Sequence, residues 1–166
     1  YKAAELVKNR GGKISLDPNL RPELLGVDKI REICQPILKI CDLVLPSGEE
    51  AQMLIGVDSS EEACRQLIKR GIPIVALKEG AKGSTVFTSS ERFTVPSYKV
   101  NPIDPTGAGD CYDAGFVYGM WQGWDLRRTA AFANAMGALA TTKKGPMEGT
   151  FRLDKVMTFI NSAPSS

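Results

Sequence analysis

The sequence contains no histidine, few aromatic residues (7%) and only four cysteines among its 166 positions. Without histidine, the residues of this chain cannot by themselves form a Ser-His-Asp triad, a Cys-His dyad or a histidine-ligated metal site. The cysteines are Cys34, Cys41, Cys64 and Cys111. They are widely separated and form no Cys-x-x-Cys pair, which argues against zinc binding and dithiol chemistry and favours a reducing, cytoplasmic setting.

Long apolar runs and a strong excess of one charge are also missing. No apolar stretch approaches the ~20 residues that a membrane-spanning helix needs. The 21 Lys and Arg against 19 Asp and Glu leave a net charge of +2, which is too small to indicate nucleic-acid binding. We therefore expect neither a membrane nor a nucleic acid as a partner. The first residue, Tyr1, is not a methionine, and we expect the chain to begin inside a longer protein.

Short apolar strands alternate with amphipathic helices along the chain. The predicted strands cover residues 14–16, 43–45, 72–77, 85–88 and 93–95. Pro36 lies inside one predicted helix and is expected to kink or divide it. Trp121, Trp124 and Phe132 fall at helical positions and are predicted to lie in the core. The alternation predicts an α/β fold whose sheet is covered by helices and whose ligands bind beyond the carboxyl ends of the strands.

The segment most typical of a catalytic site is residues 104–110, which read Asp-Pro-Thr-Gly-Ala-Gly-Asp and lead into a long predicted helix. Its small residues allow consecutive N–H groups to point at one anion, and the helix dipole adds roughly half a positive charge there. Asp110 would lie beside that anion, where a carboxylate can take the proton from a hydroxyl that attacks phosphorus. An equally weighted alternative is that Asp110 only caps the helix.

This heptapeptide resembles the C-terminal signature of the PfkB carbohydrate kinases, a ribokinase-like family, usually written Asp-Thr-x-Gly-Ala-Gly-Asp. Pro105 replaces the second residue of that signature. Other segments that resemble the family, in the family's order, are residues 17–21, 47–50, 77–83, 132–135 and 142–146. The resemblance rests on all of these matches occurring together. Within the family, the chain is most similar to the sugar kinases and the 2-keto-3-deoxygluconate kinases.

The resemblance implies a ribokinase-like, three-layer α/β/α fold with a mainly parallel sheet. It covers only the C-terminal part of the family pattern. Residues 1–166 would thus be the C-terminal, nucleotide-binding part of one domain, whose N-terminal sugar-binding part and lid are not in this sequence. A kinase must align both substrates and exclude water, so we expect this polypeptide alone to be a poor catalyst.

The resemblance also implies an ATP-dependent kinase that phosphorylates a hydroxyl of a sugar or sugar acid. Asp110 would contact that hydroxyl and act as the catalytic base. The anion hole would consist of the backbone amides of Gly107, Ala108 and Gly109. The residues bordering the nucleotide would be Lys78, Gly80, Gly83 and Asn134. Arg21 would pair with a sugar-acid carboxylate, unless it braces a loop or contacts phosphate instead.

Two cations are implied in the same way. Glu50 would hold Mg²⁺ through water, although Ser47-x-x-Glu50 is also a capping box and both roles are compatible. A monovalent cation such as K⁺ would order the loop before the long helix. Its proposed ligands are Asp104 and the backbone carbonyls of Thr106, Ala140 and Gly145.

Two other functions remain open from the sequence. One is a noncatalytic nucleotide-binding or regulatory module built on the same fold. The other is a kinase of a nucleoside or vitamin. The sequence leaves the sugar, the phosphorylated hydroxyl and the formation of a homo-oligomer undetermined.

Overall fold

The computed structural model describes residues 1–162, in which eight α-helices and five strands follow one another. The helices are α1 (Lys2–Asn9), α2 (Pro22–Leu25), α3 (Val27–Leu38), α4 (Gly48–Ile55), α5 (Ser60–Lys69), α6 (Ala108–Trp121), α7 (Leu126–Ala140) and α8 (Leu153–Ser162). The strands are β1 (Ser15–Leu16), β2 (Leu43–Val44), β3 (Ile74–Lys78), β4 (Ser84–Phe87) and β5 (Arg92–Val95). A short 3-10 turn, Gly80–Lys82, separates β3 from β4.

The strands form one mixed sheet in the order β1-β2-β3-β4-β5. The first three are parallel, with Leu43 opposite both Ser15 and Ile74. The connection from β4 to β5 is a tight turn in which the Thr88 N–H donates to the Glu91 carbonyl at 2.9 Å. Parallel strands end at the same edge of a sheet, so the residues that follow β1, β2 and β3 lie near one another.

The chain divides into two compact units. The first comprises Tyr1–Lys78 and Thr85–Phe93, and its core is formed by aliphatic side chains of α3, α4 and α5 packed on β2 and β3. Fully or almost fully buried members of this core are Val44, Leu54, Cys64, Leu67 and Val75. Burying such side chains contributes about 1.5–3 kcal/mol each, which is the main source of stability of the unit.

The second unit comprises Glu79–Ser84 and the chain from Thr94 onward. Its helices α6 and α7 approach closely because small residues face each other. A Cβ on Gly115 would lie only 3.0 Å from the Cα of Ala133. Gly119 is packed in the same way against the side chain of Thr129. The glycine strip of α6 therefore serves helix packing, since larger side chains would force the two helices apart.

One expectation from the sequence is wrong, and so is part of another. Trp121 is 79% exposed and does not lie in the core, whereas Phe132 is buried and packs edge-to-face with Trp124 at a centroid distance of 5.3 Å. Helix α6 is apolar on most of its surface, so periodicity could not show which side is buried. Pro36 lies inside α3, which continues through it to Leu38, so the expected division of the helix is wrong and the kink stays a prediction. No helix in the described part of the chain is long and apolar enough to cross a membrane.

Candidate functional site

The loop at residues 104–110, here called the entry loop, turns into α6 at Gly107. This glycine is the N-cap of α6 and has a φ of +80°, a conformation that L side chains rarely adopt. The carbonyl of Pro146 packs against it so closely that a Cβ would overlap the oxygen. Both the backbone angle and the close approach therefore require glycine here.

The backbone N–H groups of the entry loop differ in whether they are already used. The Ala108 N–H donates to the Pro105 carbonyl at 3.1 Å. The N–H groups of Gly107 and Gly109 have no acceptor among residues 1–162. Unpaired N–H groups at the positive end of a helix are suited to bind an anion. Two of the three predicted anion-hole amides are thus available, and the third closes the turn.

Asp110 lies in the first turn of α6, three residues after the N-cap, and is exposed. No described group forms an ion pair or hydrogen bond with its carboxylate. The capping alternative is not observed, because no side chain caps this helix. An unpaired carboxylate in the same turn as unpaired N–H groups can accept a proton close to a bound anion.

Asp104 joins the entry loop to the segment after α7. Its Oδ1 accepts the Thr106 N–H and its Oδ2 accepts the Gly145 N–H, each at 2.9 Å. Hydrogen bonds from the Thr106 hydroxyl and amide, the Gly145 amide and the charge of Lys144 lower the pKa of Asp104 to about 2. The carboxylate is therefore ionised at any physiological pH.

The residues predicted to hold a monovalent cation lie at this junction or next to it in the chain. The Asp104 and Ile103 N–H groups both donate to the Thr141 carbonyl, at 3.0 and 2.7 Å, and Thr141 directly follows Ala140. Gly149 packs against the Ala140 carbonyl with no room for a Cβ. Residues 1–162 contain no group of three or more His, Cys, Asp or Glu that could hold a metal. A cation held here would therefore depend on carbonyl oxygens and the remaining lone pairs of one carboxylate, a donor set that suits K⁺ chemically.

Glu50 lies in the first unit, and each of its two carboxylate oxygens accepts a hydrogen bond from a backbone N–H group. Its Oε2 accepts the Ser47 N–H at 2.7 Å, and the Ser47 hydroxyl accepts the Glu50 N–H at 3.4 Å, so the predicted capping box is confirmed. Its Oε1 accepts the Leu20 N–H at 2.9 Å. Glu50 thereby anchors the loop after β1, in which the exposed Arg21 is the next residue. Each carboxylate oxygen keeps one lone pair for a water molecule on Mg²⁺.

Lys78 lies at the end of β3 and is mostly buried. Its ammonium pairs with the Asp17 carboxylate at 3.1 Å, and the two side chains are 15% and 24% exposed. Its N–H donates to the Pro46 carbonyl at 2.8 Å. The ends of β1, β2 and β3 are thus tied together within the first unit. Lys82, in contrast, is an exposed lysine of the 3-10 turn.

The turn at residues 79–83, here called the Gly80 turn, belongs to the second unit. The Glu79 N–H donates to the Gly83 carbonyl at 2.9 Å, which closes the turn. Gly83 has a φ of +105° and packs without room for a Cβ against residues 95–97. Gly80 has a φ of +58° and open space beside it.

Asn134 is buried in α7, and the structure shows what its amide contacts. Its Nδ2 donates to the carbonyls of Val95 and Pro96, at 2.9 and 3.2 Å. Gly83 packs against the same segment from the Gly80 turn. Asn134 therefore holds the backbone that supports the turn, and its amide nitrogen is engaged within the protein.

Sequence reasoning missed two residues that shape the entry loop. Pro146 packs against Gly107, and a Cβ on Gly137 of α7 would lie 3.2 Å from the Ala108 carbonyl. Pro146 falls in a segment that resembles the family, but no local pattern predicts either contact, since each joins segments distant in sequence. A shallow cavity of about 360 Å³ between α7 and α8, lined by residues that include Leu139 and Phe159, contains none of the predicted site residues among its described lining.

A family model described as pfkB family carbohydrate kinase matches residues 1–151. The chain belongs to the pfkB family. The entry loop, the Gly80 turn and the strand ends described above all fall within the matched range, and the family predicted from the sequence motifs is confirmed.

Relatives of this pfkB-family chain act on different substrates according to their names. A fructokinase of Vibrio alginolyticus is 32% identical over 96% of this chain and 54% of its own length. An aminoimidazole riboside kinase of Salmonella typhimurium is 29% identical over 97% of this chain and 52% of its own length. A 2-dehydro-3-deoxygluconokinase of Bacillus subtilis is 27% identical over 98% of this chain and 51% of its own length. The chain thus spans about half the length of the curated relatives it matches.

Solved structures of the same family superpose closely on this chain. A candidate ribokinase II of E. coli, in complex with ATP and Mg²⁺, has a TM-score of 0.91 and 40% identity over 96% of this chain and 52% of that one. A Vibrio cholerae fructokinase with fructose, ADP and calcium bound has a TM-score of 0.88 and 34% identity over 96% of this chain and 54% of that one. These neighbours confirm the predicted α/β class and ribokinase-like fold. Nucleotides and metal ions are thus bound by members of this family.

Proposed function

We propose that the protein carrying this chain transfers the terminal phosphoryl group of ATP to a hydroxyl of a sugar or sugar acid. The observation that carries the proposal is the exposed, unpaired carboxylate of Asp110 in the same helical turn as the unpaired N–H groups of Gly107 and Gly109. Membership of the pfkB family of carbohydrate kinases supports it.

In this mechanism Asp110 is the general base. The acceptor oxygen forms its bond to the terminal phosphorus while the bond from that phosphorus to the oxygen of ADP breaks. The hydroxyl proton passes to the Asp110 carboxylate as the new bond forms. The N–H groups of Gly107 and Gly109 stabilise negative charge on the transferred group, assisted by the dipole of α6. Ala108 contributes by closing the turn that aims its neighbours.

We propose that the nucleotide is bordered by Lys78, Gly80 and Gly83. Lys78 offers a fixed positive charge for phosphate oxygens, held in place by Asp17. Gly80 leaves the backbone of the Gly80 turn open to a ligand, and Asn134 lines the adenine region through the segment that it holds. ATP and Mg²⁺ in the E. coli neighbour support this part of the proposal.

The cation roles are also proposals. Glu50 would hold Mg²⁺ through water, and Mg²⁺ when bound neutralises phosphate charge. Asp104, with the backbone carbonyls of Thr106, Ala140 and Gly145, would hold a monovalent cation that orders the entry loop. A double mutant of the Vibrio cholerae fructokinase has potassium bound with fructose and ADP, which supports this assignment.

For the substrate we propose a sugar or sugar acid whose carboxylate, if present, pairs with Arg21. Arg21 is exposed on a loop anchored by Glu50. The fructokinase and 2-dehydro-3-deoxygluconokinase relatives support this class. The aminoimidazole riboside kinase relative favours a second candidate, a riboside acceptor for the same transfer.

The remaining proposals concern the extent and setting of the protein. We propose that the chain is the C-terminal part of one ribokinase-like domain and that its 166 residues alone are a poor catalyst, since the chain spans about half the length of its relatives. The four free cysteines are consistent with a cytoplasmic location.

The experiment is Asp110→Asn in the protein carrying this chain. ADP release is measured with fructose, 2-dehydro-3-deoxygluconate and aminoimidazole riboside as acceptors. We expect turnover to fall by about 10²–10⁴-fold while ATP affinity stays within about twofold, because the base is lost and the amides remain. Asp28→Asn is the matched control, since this carboxylate is fully exposed on α3. Near-normal turnover of Asp110→Asn would contradict the proposal.

A further inference from the structure

Helix α6 has an exposed apolar face in addition to the face that packs on α7. Ala114, Val117 and Trp121 recur along it at helical spacing and are all exposed, Val117 to 43% and Trp121 to 79%. These three residues are here called the α6 stripe. A helix that is apolar all round is normally buried on every side, so the α6 stripe is the face that residues 1–162 leave open.

The α6 stripe leads directly to the candidate base. Positions 110, 114, 117 and 121 follow one another at intervals of four, three and four residues, and all four residues are exposed. This spacing places them in one line along a helix. Asp110 is thus the first member of the line, one turn before Ala114. Whatever covers the α6 stripe therefore also lies beside Asp110 and the entry loop.

The opposite side of α6 is occupied. Gly115 and Gly119 pack closely against Ala133 and Thr129 of α7, and Phe116 is fully buried. Close packing of this kind resists displacement of one helix past the other. The helix is therefore held from one side, and its exposed side keeps a defined position onto which another surface can dock.

The two ends of the α6 stripe differ in size. At one end, the Trp121 ring contacts Tyr118 edge-on at a centroid distance of 6.2 Å, and Tyr118 packs in turn on Trp124 and Phe132. A ring supported in this way loses little freedom when a partner covers it, and tryptophan is enriched among the residues that contribute most to interfaces. At the other end, Ala114 is small and allows a partner to approach the helix backbone closely.

The length of the relatives indicates what covers the α6 stripe. Nearly all of this chain is matched by the fructokinase of Vibrio alginolyticus and the candidate ribokinase II of E. coli, yet it spans only 54% and 52% of them. About half of each relative therefore lies outside the matched part. A kinase whose base is Asp110 needs acceptor-binding residues next to that carboxylate. A segment that docks on the α6 stripe would bring them there.

We propose that the α6 stripe is the surface on which the acceptor-binding remainder of the same polypeptide docks. Its apolar face covers Val117 and Trp121, and its closest approach to the helix is at Ala114. This inference rests on the proposed function, because it assumes that Asp110 is the base and that the chain is the C-terminal part of the domain. The docking can be tested without measuring activity.

The first test is photo-cross-linking of the protein carrying this chain, with the photoreactive amino acid p-benzoylphenylalanine in place of Trp121. We expect a covalent link within one polypeptide, between position 121 and a peptide that precedes Tyr1, identified by mass spectrometry. Ser89 is the control position, because it is exposed in the polar turn between β4 and β5. We expect the same probe at Ser89 to form no link with a peptide preceding Tyr1.

Three results of the cross-linking would overturn the docking surface. A link between two polypeptides, seen as a species of twice the mass, would make the α6 stripe an interface between copies of the protein. Links from position 121 only to residues of this chain, or to none, would mean that the remainder does not lie on α6. Equal links from positions 121 and 89 would contradict a docking surface confined to α6.

The second test changes the volume of the α6 stripe one turn from the base. Ala114→Leu puts a large side chain at an exposed helical position, whereas Ala114→Ser keeps the side chain small. In the protein carrying this chain we expect kcat/KM for the acceptor to fall about tenfold in Ala114→Leu and to stay within about twofold in Ala114→Ser, because only leucine pushes the docked part away. ATP affinity should stay within about twofold in both variants. Unchanged kcat/KM in Ala114→Leu would contradict the close approach at Ala114.

The two tests separate the docking from the proposed function. If the unmutated protein phosphorylates none of the three acceptors while the link from position 121 to a peptide preceding Tyr1 forms, the proposed function fails and the docking surface stands. If the unmutated protein is active and that link is absent, the docking surface fails and the proposed function stands.

Discussion

The Asp104 carboxylate accepts the N–H of Gly145, 41 positions further along the chain, at 2.9 Å. Its other oxygen accepts the Thr106 N–H within the entry loop. One side chain thus determines how two loops of the second unit meet beside the start of α6. This arrangement depends on the ionised form of Asp104. Only the charged carboxylate offers an acceptor oxygen to each of the two amides and strengthens both hydrogen bonds by its negative charge.

The pH dependence of this junction is the first prediction. The pKa of Asp104 in the folded protein, about 2, lies below the ~3.9 of an unperturbed aspartate. The contact therefore stabilises the folded chain fully above about pH 4, and that contribution is lost as the pH falls through 2. We expect the backbone amide resonances of Thr106 and Gly145 to titrate together with a midpoint near pH 2 in NMR spectra.

A variant provides the control for this prediction. Asp104→Asn keeps one acceptor oxygen but turns an NH₂ group toward the second N–H donor. In that variant the two amide resonances should no longer titrate near pH 2. A midpoint near pH 4 in the unmutated chain would show that the carboxylate does not hold both loops.

The glycine requirement at the N-cap of α6 is the second prediction. Gly107→Ala combines a positive φ with overlap against the Pro146 carbonyl. Gly123→Ala is a matched control, because Gly123 has a φ of +70° but nothing within 4 Å of its Cβ position. We expect chemical denaturation to show a loss of about 1–2 kcal/mol for Gly123→Ala and about 1–3 kcal/mol more for Gly107→Ala. Equal losses would mean that the Pro146 contact is unimportant.

Glu50 is the subject of the third prediction, which separates its structural role from its proposed role toward Mg²⁺. Glu50→Gln keeps one acceptor for the backbone of Ser47 or Leu20 and loses the charge. We expect a stability loss of about 1 kcal/mol, equal to that of Ser47→Ala, which removes the other half of the capping box. Titration calorimetry should then show that Mg²⁺ no longer strengthens ATP binding in Glu50→Gln, whereas it still does in Ser47→Ala. The same loss of Mg²⁺ dependence in both variants would attribute it to the helix cap.

The difference between two lysines is the fourth prediction. Lys78 is mostly buried beside Asp17, and Lys82 is exposed in the 3-10 turn. We expect Lys78→Met to weaken ATP binding about tenfold and to leave adenosine binding within about twofold, because the ammonium acts on phosphate. Lys82→Met should change neither affinity by more than about twofold. If adenosine binding falls equally in Lys78→Met, the residue supports the fold of the strand ends and not the phosphates.

Local chemistry explains which elements could be predicted. The Ser47 capping box, the strand at 72–77 and the helix after the entry loop were all predicted within a few residues, because caps, apolar runs and glycine pairs act on near neighbours. The prediction that Trp121 lies in the core was wrong, because α6 is apolar on most of its surface and its sequence does not show which face meets solvent. The motif predicted that the backbone amides of Gly107 and Gly109 are available to an anion. It did not predict that the Ala108 amide donates to the Pro105 carbonyl instead.

The order of amino acids determined the α/β alternation, the family and the candidate groups of the entry loop, since these depend on patterns spanning only a few turns or strands. Tertiary structure alone decided that Pro146 packs against Gly107, that Asp104 reaches Gly145, and that the Asn134 amide donates to the carbonyls of Val95 and Pro96. Such contacts join residues tens of positions apart. They arise only when burial of apolar surface brings separate helices and loops together, which no local pattern encodes.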